Sequence, residues 1–270
     1  MAKYAFYVHC NAHCLNPVIV DCVKSVPEAA CFLMLLERLY TFMSGSYVHN
    51  KWMDVQKEMF TGAPRELPRL SDTRWACRYA ACRNLMDRLT AVIRVLDDIS
   101  DEANPQRAVD ARGLRSQIDL NFIGLLAVFR KVLGEAKFLS EMLQSPNVDL
   151  TKAADLTETL RQTFEEYRKE ESFNELWNTV IKTCNDCNIS TIAQSKRTRH
   201  TSSRLHDSLV TSTVGQRTHI DSKDYFRIGI FTPVVDSMIR EMDRRFSKFS
   251  SNIMRGIQAL NPSSNGFLKE

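Results

Sequence analysis

The chain has 270 residues, of which 44% are apolar and 25% are charged, a balance typical of globular proteins. Its nine glycines and eight prolines fall below the average usage of roughly 7% and 5%, which argues against a turn-rich sandwich or barrel and predicts long helices. The net charge of +4 excludes a surface coated with base, so any contact with nucleic acid must be local.

No apolar run reaches the roughly 18 residues of a transmembrane span, and we expect no membrane partner. Polar residues interrupt the apolar N-terminus, which argues against a signal peptide. The eight cysteines form no regular framework and indicate reduced thiols in the nucleus or cytoplasm.

The N-terminal half is predicted to be one short strand followed by amphipathic helices. Residues 4–10 are aromatic and β-branched, as in a strand, and residues 15–24 are predicted to be helical. Ser25-Val26-Pro27-Glu28 resembles a capping box for the next helix. The apolar faces expected of the next two helices are Phe32, Leu35, Leu36, Leu39 and Met43, then Val48, Trp52, Val55 and Met59.

Residues 61–70 contain two prolines and are predicted to be a loop. Ser71 or Asp72 can cap the helix that follows. A further helix is expected around residues 107–118, and residues 120–143 are apolar on most sides, as in a central buried helix. The apolar stripes predicted after the loop are Trp75, Tyr79, Cys82 and Met86, then Leu89, Val92, Ile93, Leu96 and Ile99.

The C-terminal half contains two more helices, a polar segment and a final long helix. Residues 149–170 carry one apolar face, and Ser172-x-x-Glu175 resembles a second capping box. Residues 190–220 hold 12 Ser or Thr, five bases and one acid, which predicts a flexible basic linker. Residues 221–249 are predicted to be a helix that Pro233 kinks or divides, with an apolar face of Ile228, Phe231, Val235, Met238, Met242, Phe246 and Phe249.

Cys10-x-x-His13 has a spacing found in zinc fingers, where a structural site needs four ligands. Cys184-x-x-Cys187 has a suitable spacing for the second pair, but both residues fall in an apolar helical stripe. We therefore predict no metal site and no cofactor, and we expect Cys10 and His13 to be a buried pair.

Asp72-Thr73-Arg74-Trp75 stands at a predicted helix start, where free backbone N–H groups can receive phosphate. Arginine adds a bidentate phosphate fork, and tryptophan can stack on an unpaired base. The alternative is a capped helix with Trp75 in the core, since most tryptophans are largely buried. The linker bases Lys196, Arg197, Arg199 and Arg204 present a similar choice between a phosphate-binding or nuclear-import segment and a solvated tether.

The stretch CNAHCLNPVIVDCVKSVPEA, followed about fifty residues later by LSDTRWACRYAACRNL, resembles the hobo–Activator (hAT) superfamily of transposases. The resemblance is strongest to the domesticated group described as zinc finger MYM-type protein 1-like, and it extends over nearly the whole chain. The positions that match family motifs are Cys10, His13, Asp72, Thr73, Arg74 and Trp75.

This resemblance implies an RNase H-like core that is interrupted by a large all-α insertion. In such enzymes three carboxylates hold two divalent metals for strand cleavage and transfer. The resemblance places two of these carboxylates before residue 1 and the third after the insertion, where neither Glu241 nor Glu270 matches. It also implies that the arginine–tryptophan element handles DNA near the cleaved ends.

We therefore expect a mainly α-helical protein with no catalytic residues of its own. The expected domains are a core remnant over 1–26, the insertion over 27–189, the linker over 190–220 and a C-terminal helical region over 221–270. The expected function is that of an inactive transposase-derived module, favoured to be nuclear, that binds DNA through Arg74 and Trp75 or scaffolds protein partners. Two alternatives stay open: a scaffold without DNA affinity, which would use an exposed methionine-rich helix around residues 238–254, and a fragment of a full transposase.

Overall fold

The computed structural model describes residues 11–70, 75–143, 150–192 and 221–246. Within these ranges all regular structure is helical, so the prediction of a mainly α-helical protein is confirmed. The predicted strand over residues 4–10 and most of the predicted linker lie outside the described residues. The helices are α1 (Asn11–Ser25), α2 (Pro27–Met43), α3 (Ser46–Met59), α4 (Trp75–Asp87), α5 (Leu89–Ser100), α6 (Pro105–Arg115), α7 (Leu120–Leu143), α8 (Leu150–Tyr167), α9 (Glu170–Asp186), α10 (Ser222–Phe226) and α11 (Thr232–Arg245).

The long helix α7 occupies the centre of the fold, and its bounds are those predicted from its apolar sequence. It packs against α1, α2, α4, α8 and α9, which surround it. Its buried residues join one continuous core. In this core the Phe129 ring stacks on Phe32 of α2 with centroids 5.4 Å apart, and the Phe122 ring lies 5.2 Å from the same Phe32 ring. A helix that buries most of its sides has no polar face, which explains the near-continuous apolar sequence.

A second aromatic cluster joins α9 to the segment that follows residue 220. Phe173 and Trp177 of α9 lie against Phe231 and Phe226, with ring centroids 5.1 and 5.7 Å apart respectively. Phe226 also lies directly on the backbone of α7 at Gly124, where an added Cβ would come within 2.3 Å of the ring. This close approach is possible only because residue 124 has no side chain.

The first and last described helices lie side by side, although they are far apart in sequence. The Cys22 thiol donates to the carbonyl oxygen of Val234 at 3.5 Å, and the hydroxyls of Ser25 and Ser237 are 2.6 Å apart. At the edge of this contact, Asp21 forms an ion pair with Arg244 at 2.8 Å. The polar groups of α1 and α11 therefore satisfy one another, and we call this contact the α1–α11 seam.

Both predicted capping boxes are wrong. Helix α2 begins after Val26, which supplies no side-chain cap, and the Ser25 hydroxyl instead donates to the Cys22 carbonyl oxygen in the α1–α11 seam. Helix α9 begins at Glu170, which places Ser172 inside the helix. Side chains that do cap described helices include Asn104, which accepts a hydrogen bond from the backbone N–H of Arg107 at the start of α6, and Asp119, which accepts one from the backbone N–H of Phe122 at the start of α7.

The predicted C-terminal helix contains a π-helical turn, Arg227–Phe231, between α10 and α11. The backbone N–H of Thr232 donates to the carbonyl oxygen of Arg227, five residues back, just before Pro233. The wider turn accommodates Pro233, because proline has no N–H to donate and its ring crowds the preceding carbonyl groups. The interpretation that Pro233 stands in the first turn of the second half of the helix is confirmed.

The π-helical turn shifts the register of the apolar face, because it takes up more residues than an α-helical turn. Ile228, which was predicted to be buried, is 70% exposed, whereas Phe226 and Ile230 are buried in its place. Met238 and Met242 are also buried, so the expectation of an exposed methionine-rich helix is wrong for these two residues. Met254 lies outside the described residues.

Candidate nucleic-acid interface

The family-motif residues fall largely outside the described residues. These include Cys10, Asp72, Thr73 and Arg74, while His13 lies in α1 and Trp75 is the first residue of α4. The roles predicted for Arg74 and Trp75 in binding nucleic acid therefore stay predictions.

The loop before the helix start is held at two points. Gln56, which is buried in α3, donates to the Arg65 carbonyl oxygen at 3.1 Å and accepts from its backbone N–H at 2.9 Å. The Leu70 N–H donates to a carboxylate oxygen of Glu37 at 3.2 Å. Residues 61–70 form the predicted loop, and these bonds fix its last residue beside α2 before the chain continues to Ser71.

Helix α4 buries one face against α7 and leaves its edge open. Cys82, from the predicted stripe, is fully buried, and burial raises the pKa of its thiol to about 12, which keeps it protonated. Tyr79 and Met86 belong to the same predicted stripe but are only half-buried. They stand at the margin of the interface, where a groove opens.

This groove, which we call the α4–α7–α9 groove, has a volume of about 610 Å³. Its lining mixes aromatic, basic and acidic side chains from three helices. Tyr79 and Met86 belong to α4, and Phe138 protrudes from α7 with 63% of its surface exposed. The remaining lining residues are Ala127, Arg130, Lys131, Gly134, Glu135, Glu175, Leu176 and Thr179.

Tyr79 lies against the backbone of α7 at Gly134. A Cβ added to Gly134 would be only 3.1 Å from the Tyr79 ring. Two cations flank the ring: the Arg83 guanidinium at 5.8 Å and the Lys137 ammonium at 5.9 Å from the centroid. Both distances fall within the range of cation–π attraction. The ring is thus held in place with cations beside it, and its surface is still partly open.

The other charges of the groove are partly paired. Arg130 contacts Asp87 at 3.1 Å, and the Lys131 ammonium lies 4.4 Å from the centroid of the Tyr167 ring. Glu135 accepts a hydrogen bond from the Tyr167 hydroxyl at 3.2 Å. Burial, and secondly the charge of Glu135, raise the pKa of Tyr167, so its hydroxyl stays protonated and keeps donating.

Four lining residues were not identified from the sequence as binding residues: Tyr79, Arg130, Lys131 and Phe138. Neither was Lys137, which lies beside the Tyr79 ring. A signal was present: an aromatic residue stands next to a basic residue at both ends of the run FRKVLGEAKF, which lies in the segment predicted to be a buried helix. Seven residues separate Arg130 from Lys137 and Lys131 from Phe138, which places each pair on one side of α7 two turns apart. What the sequence did not show is that α4 and α9 leave this side uncovered.

The second cysteine pair occupies the end of α9, in the predicted helical register. Cys184 and Cys187 are buried, and burial raises the pKa of each thiol to about 11. Protonated buried thiols are poor metal ligands. Among the described residues, no three His, Cys, Asp or Glu side chains are grouped so that they could hold a metal ion.

No protein-family model matches the sequence. No solved structure matches the fold. Within the described ranges, no helix is both long and apolar enough to span a membrane.

Proposed function

We propose that the chain is a transposase-derived helical module, related to the hAT superfamily and within it to the zinc finger MYM-type protein 1-like group, that binds nucleic acid without cleaving it. The observation that carries the proposal is the α4–α7–α9 groove, which combines two partly open aromatic rings, Tyr79 and Phe138, with basic side chains in its lining and beside the Tyr79 ring. Proteins that bind single strands use this combination, since cations contact phosphates and rings stack on bases.

The lining residue Tyr79 stands close in sequence to the motif that the resemblance associates with DNA. Trp75 is the first residue of α4, and Tyr79 follows one helical turn later. A nucleic acid held by Arg74 and Trp75 would thus reach the groove within a short distance, since one turn of helix rises about 5.4 Å. The motif and the groove form one extended surface in this proposal.

The α1–α11 seam also supports descent from an interrupted core. An insertion that leaves and re-enters a folded domain must have its two flanks close together. Here α1 and α11 are joined by hydrogen bonds between residues 212 positions apart. If α1 and α11 are those flanks, the insertion is wider than the 27–189 span expected from the sequence, and their proximity supports this part of the proposal.

Binding can be tested by fluorescence anisotropy with labelled oligonucleotides between about 50 and 200 mM salt. We expect affinity to fall steeply as salt rises, because phosphate contacts release counterions. The variants Arg74→Ala and Trp75→Ala should weaken binding, while Met34→Ala, at a 67% exposed position of α2, is the control. Absence of binding at the lowest salt would contradict the proposal.

Inactivity in strand cleavage is a separate part of the proposal. It rests on the resemblance, because none of the matched motif positions corresponds to a family carboxylate that holds metal. The test is incubation of DNA hairpins with purified protein and Mg²⁺ or Mn²⁺. We expect intact hairpins, and metal-dependent cleavage that co-purifies with the protein through successive columns would overturn this part.

We also propose a nuclear location, supported by the basic residues Lys196, Arg197, Arg199 and Arg204. A fluorescent fusion of the full chain should accumulate in nuclei. Replacing the four residues with alanine should distribute it through the cell, and an unchanged distribution would contradict a role for them in import.

A protein scaffold without nucleic-acid affinity is the second candidate function. The observation that favours it is the exposed Ile228, which the π-helical turn places at the surface beside Tyr225. A chain that binds no oligonucleotide at low salt, but self-associates in light scattering in a way that Ile228→Ser abolishes, would favour this candidate over the first.

A further inference from the structure

We infer that the α4–α7–α9 groove binds unpaired nucleotides and discriminates a single strand from a duplex. The inference rests on the proposed function, which requires only that nucleic acid be bound. It goes further by assigning the form of the ligand and the residues that select it: Phe138 and Tyr79 for the bases, and Lys131 and Lys137 for the backbone.

The shape of the groove is the first argument. Proteins that read duplex DNA insert a protruding helix or ribbon into its grooves. In this chain the proposed binding surface is instead a concavity of about 610 Å³ between three helices. A volume in this range encloses a small ligand. Bases can enter such a concavity only when they are free of their pairing partners, as in single strands and loops.

The second argument is the state of the two aromatic rings. Phe138 leaves most of its surface in water in the second half of a helix whose other large apolar residues are mainly buried. Tyr79 is held against Gly134 and is flanked by cations, so little conformational freedom is left for a ligand to remove. A base stacked on such a ring typically contributes about tenfold or more in affinity.

The third argument is the distribution of charge. Lys131 lies two turns before Phe138 on the same side of α7. Lys137 precedes Phe138 and forms an ion pair with Glu141 at 2.6 Å, so a phosphate would compete with Glu141 for its ammonium group. The acids of the groove are Glu135, which is bonded to the Tyr167 hydroxyl, and Glu175 on the α9 wall. Phosphates would therefore follow α4 and α7 and avoid the α9 wall.

The experiment compares one labelled sequence as a single strand and as a duplex, at equal salt and with the full chain. We expect tighter binding of the single strand. Phe138→Ala should weaken single-strand binding about tenfold and leave duplex binding unchanged. Tyr79→Phe should keep the preference because the ring is retained, and Met34→Ala, also an exposed apolar residue, is the matched control.

Thermal unfolding of each variant checks folding, which an exposed side chain such as Phe138 should not alter. Equal affinity for both forms, or single-strand binding that Phe138→Ala leaves unchanged, would overturn this inference while the proposed function stands. Absence of binding to either form would overturn the proposed function, and with it this inference.

Discussion

Helix α7 receives an aromatic ring at two glycines, and the two contacts differ in how completely they are closed. At Gly124, the ring of Phe226 is fully buried and packed against Trp177 of α9. At Gly134, the ring of Tyr79 is half-buried, has cations on its flanks and faces the α4–α7–α9 groove. In both contacts the missing Cβ of glycine lets an aromatic ring approach the backbone of α7. The contact at Gly124 is closed to solvent, and the contact at Gly134 is open.

The closed contact at Gly124 is expected to contribute to stability, and the open contact at Gly134 to ligand binding. A closed contact removes apolar surface from water and stabilises the fold, at roughly 25 cal/mol for each Å² buried. An open contact forfeits part of that stabilisation and keeps a ring available to a ligand. We therefore expect changes at the Gly124 contact to alter mainly the free energy of unfolding, and changes at the Gly134 contact to alter mainly affinity.

The largest expected effect on stability is that of Phe226→Ala. Removing a fully buried ring leaves a cavity between α7 and α9 and should lower the free energy of unfolding by about 3–5 kcal/mol. Urea denaturation measures the change. Tyr225→Ala, at the exposed neighbouring position, is the control and should cost far less. Equal losses in the two variants would show that the contact at Gly124 is not closed.

Gly124→Ala should be the next most destabilising change. The new Cβ would lie 2.3 Å from the Phe226 ring, and such overpacking typically costs about 1–3 kcal/mol, against a gain in helix propensity of about 1 kcal/mol. Gly113→Ala in α6 is the matched control, because nothing lies within 4 Å of its Cβ and only the gain applies. A stabilised Gly124→Ala variant would contradict the described packing of Phe226.

Gly134→Ala should change affinity more than stability. Its Cβ would lie 3.1 Å from the Tyr79 ring, which can shift because it stands at an open edge. We expect the free energy of unfolding to stay within about 1 kcal/mol of the parent, since the helix-propensity gain offsets the crowding. Single-strand affinity should fall in the anisotropy assay. An unchanged affinity would indicate that the position of Tyr79 is irrelevant to binding.

The smallest expected effect is a pH dependence at the α1–α11 seam, a closed contact with an ionic edge. Partial burial acts to raise the pKa of Asp21, but the hydrogen bond and charge of Arg245, followed by those of Lys24, outweigh it and lower the pKa. A carboxyl with a lowered folded pKa stabilises the fold above its unfolded pKa of about 3.9, and this contribution is lost as pH falls through the folded value.

Asp21→Asn should therefore remove a small part of the stability measured at neutral pH and none of that measured well below pH 4. Melting temperatures of parent and variant across this range measure the convergence. Lys57, whose ion pair with Asp54 lies within α3, provides a surface control through Lys57→Gln. Parallel pH curves for parent and Asp21→Asn would show that the ion pair adds nothing to the seam.

The sequence predicted best those helices whose burial follows a regular period. All five residues of the predicted face of α2 are buried, and so are all five of α5. These faces needed only the spacing of apolar side chains, because an α-helix places residues three and four apart on one side. The bounds of α7 followed from its continuous apolar character.

Prediction failed where a residue had a choice of partners. Ser25 had the sequence of a cap but bonds within the α1–α11 seam, where Ser237 lies 212 positions away. Ile228 had the spacing of a buried residue but is exposed, because the π-helical turn before Pro233 changes the register. Tyr79 had the spacing of a core residue, yet the packing of α4 on α7 leaves it at the margin.

The sequence by itself determined a chain of amphipathic helices around one apolar helix, since the periodicity of apolar residues and the scarcity of glycine and proline act locally. Only the tertiary structure decided which helices meet. The α1–α11 seam and the α4–α7–α9 groove depend on contacts between residues distant along the chain, such as Cys22 with Val234 and Tyr79 with Gly134. For that reason the groove, which carries the proposed function, could not be recognised before the helices were assembled.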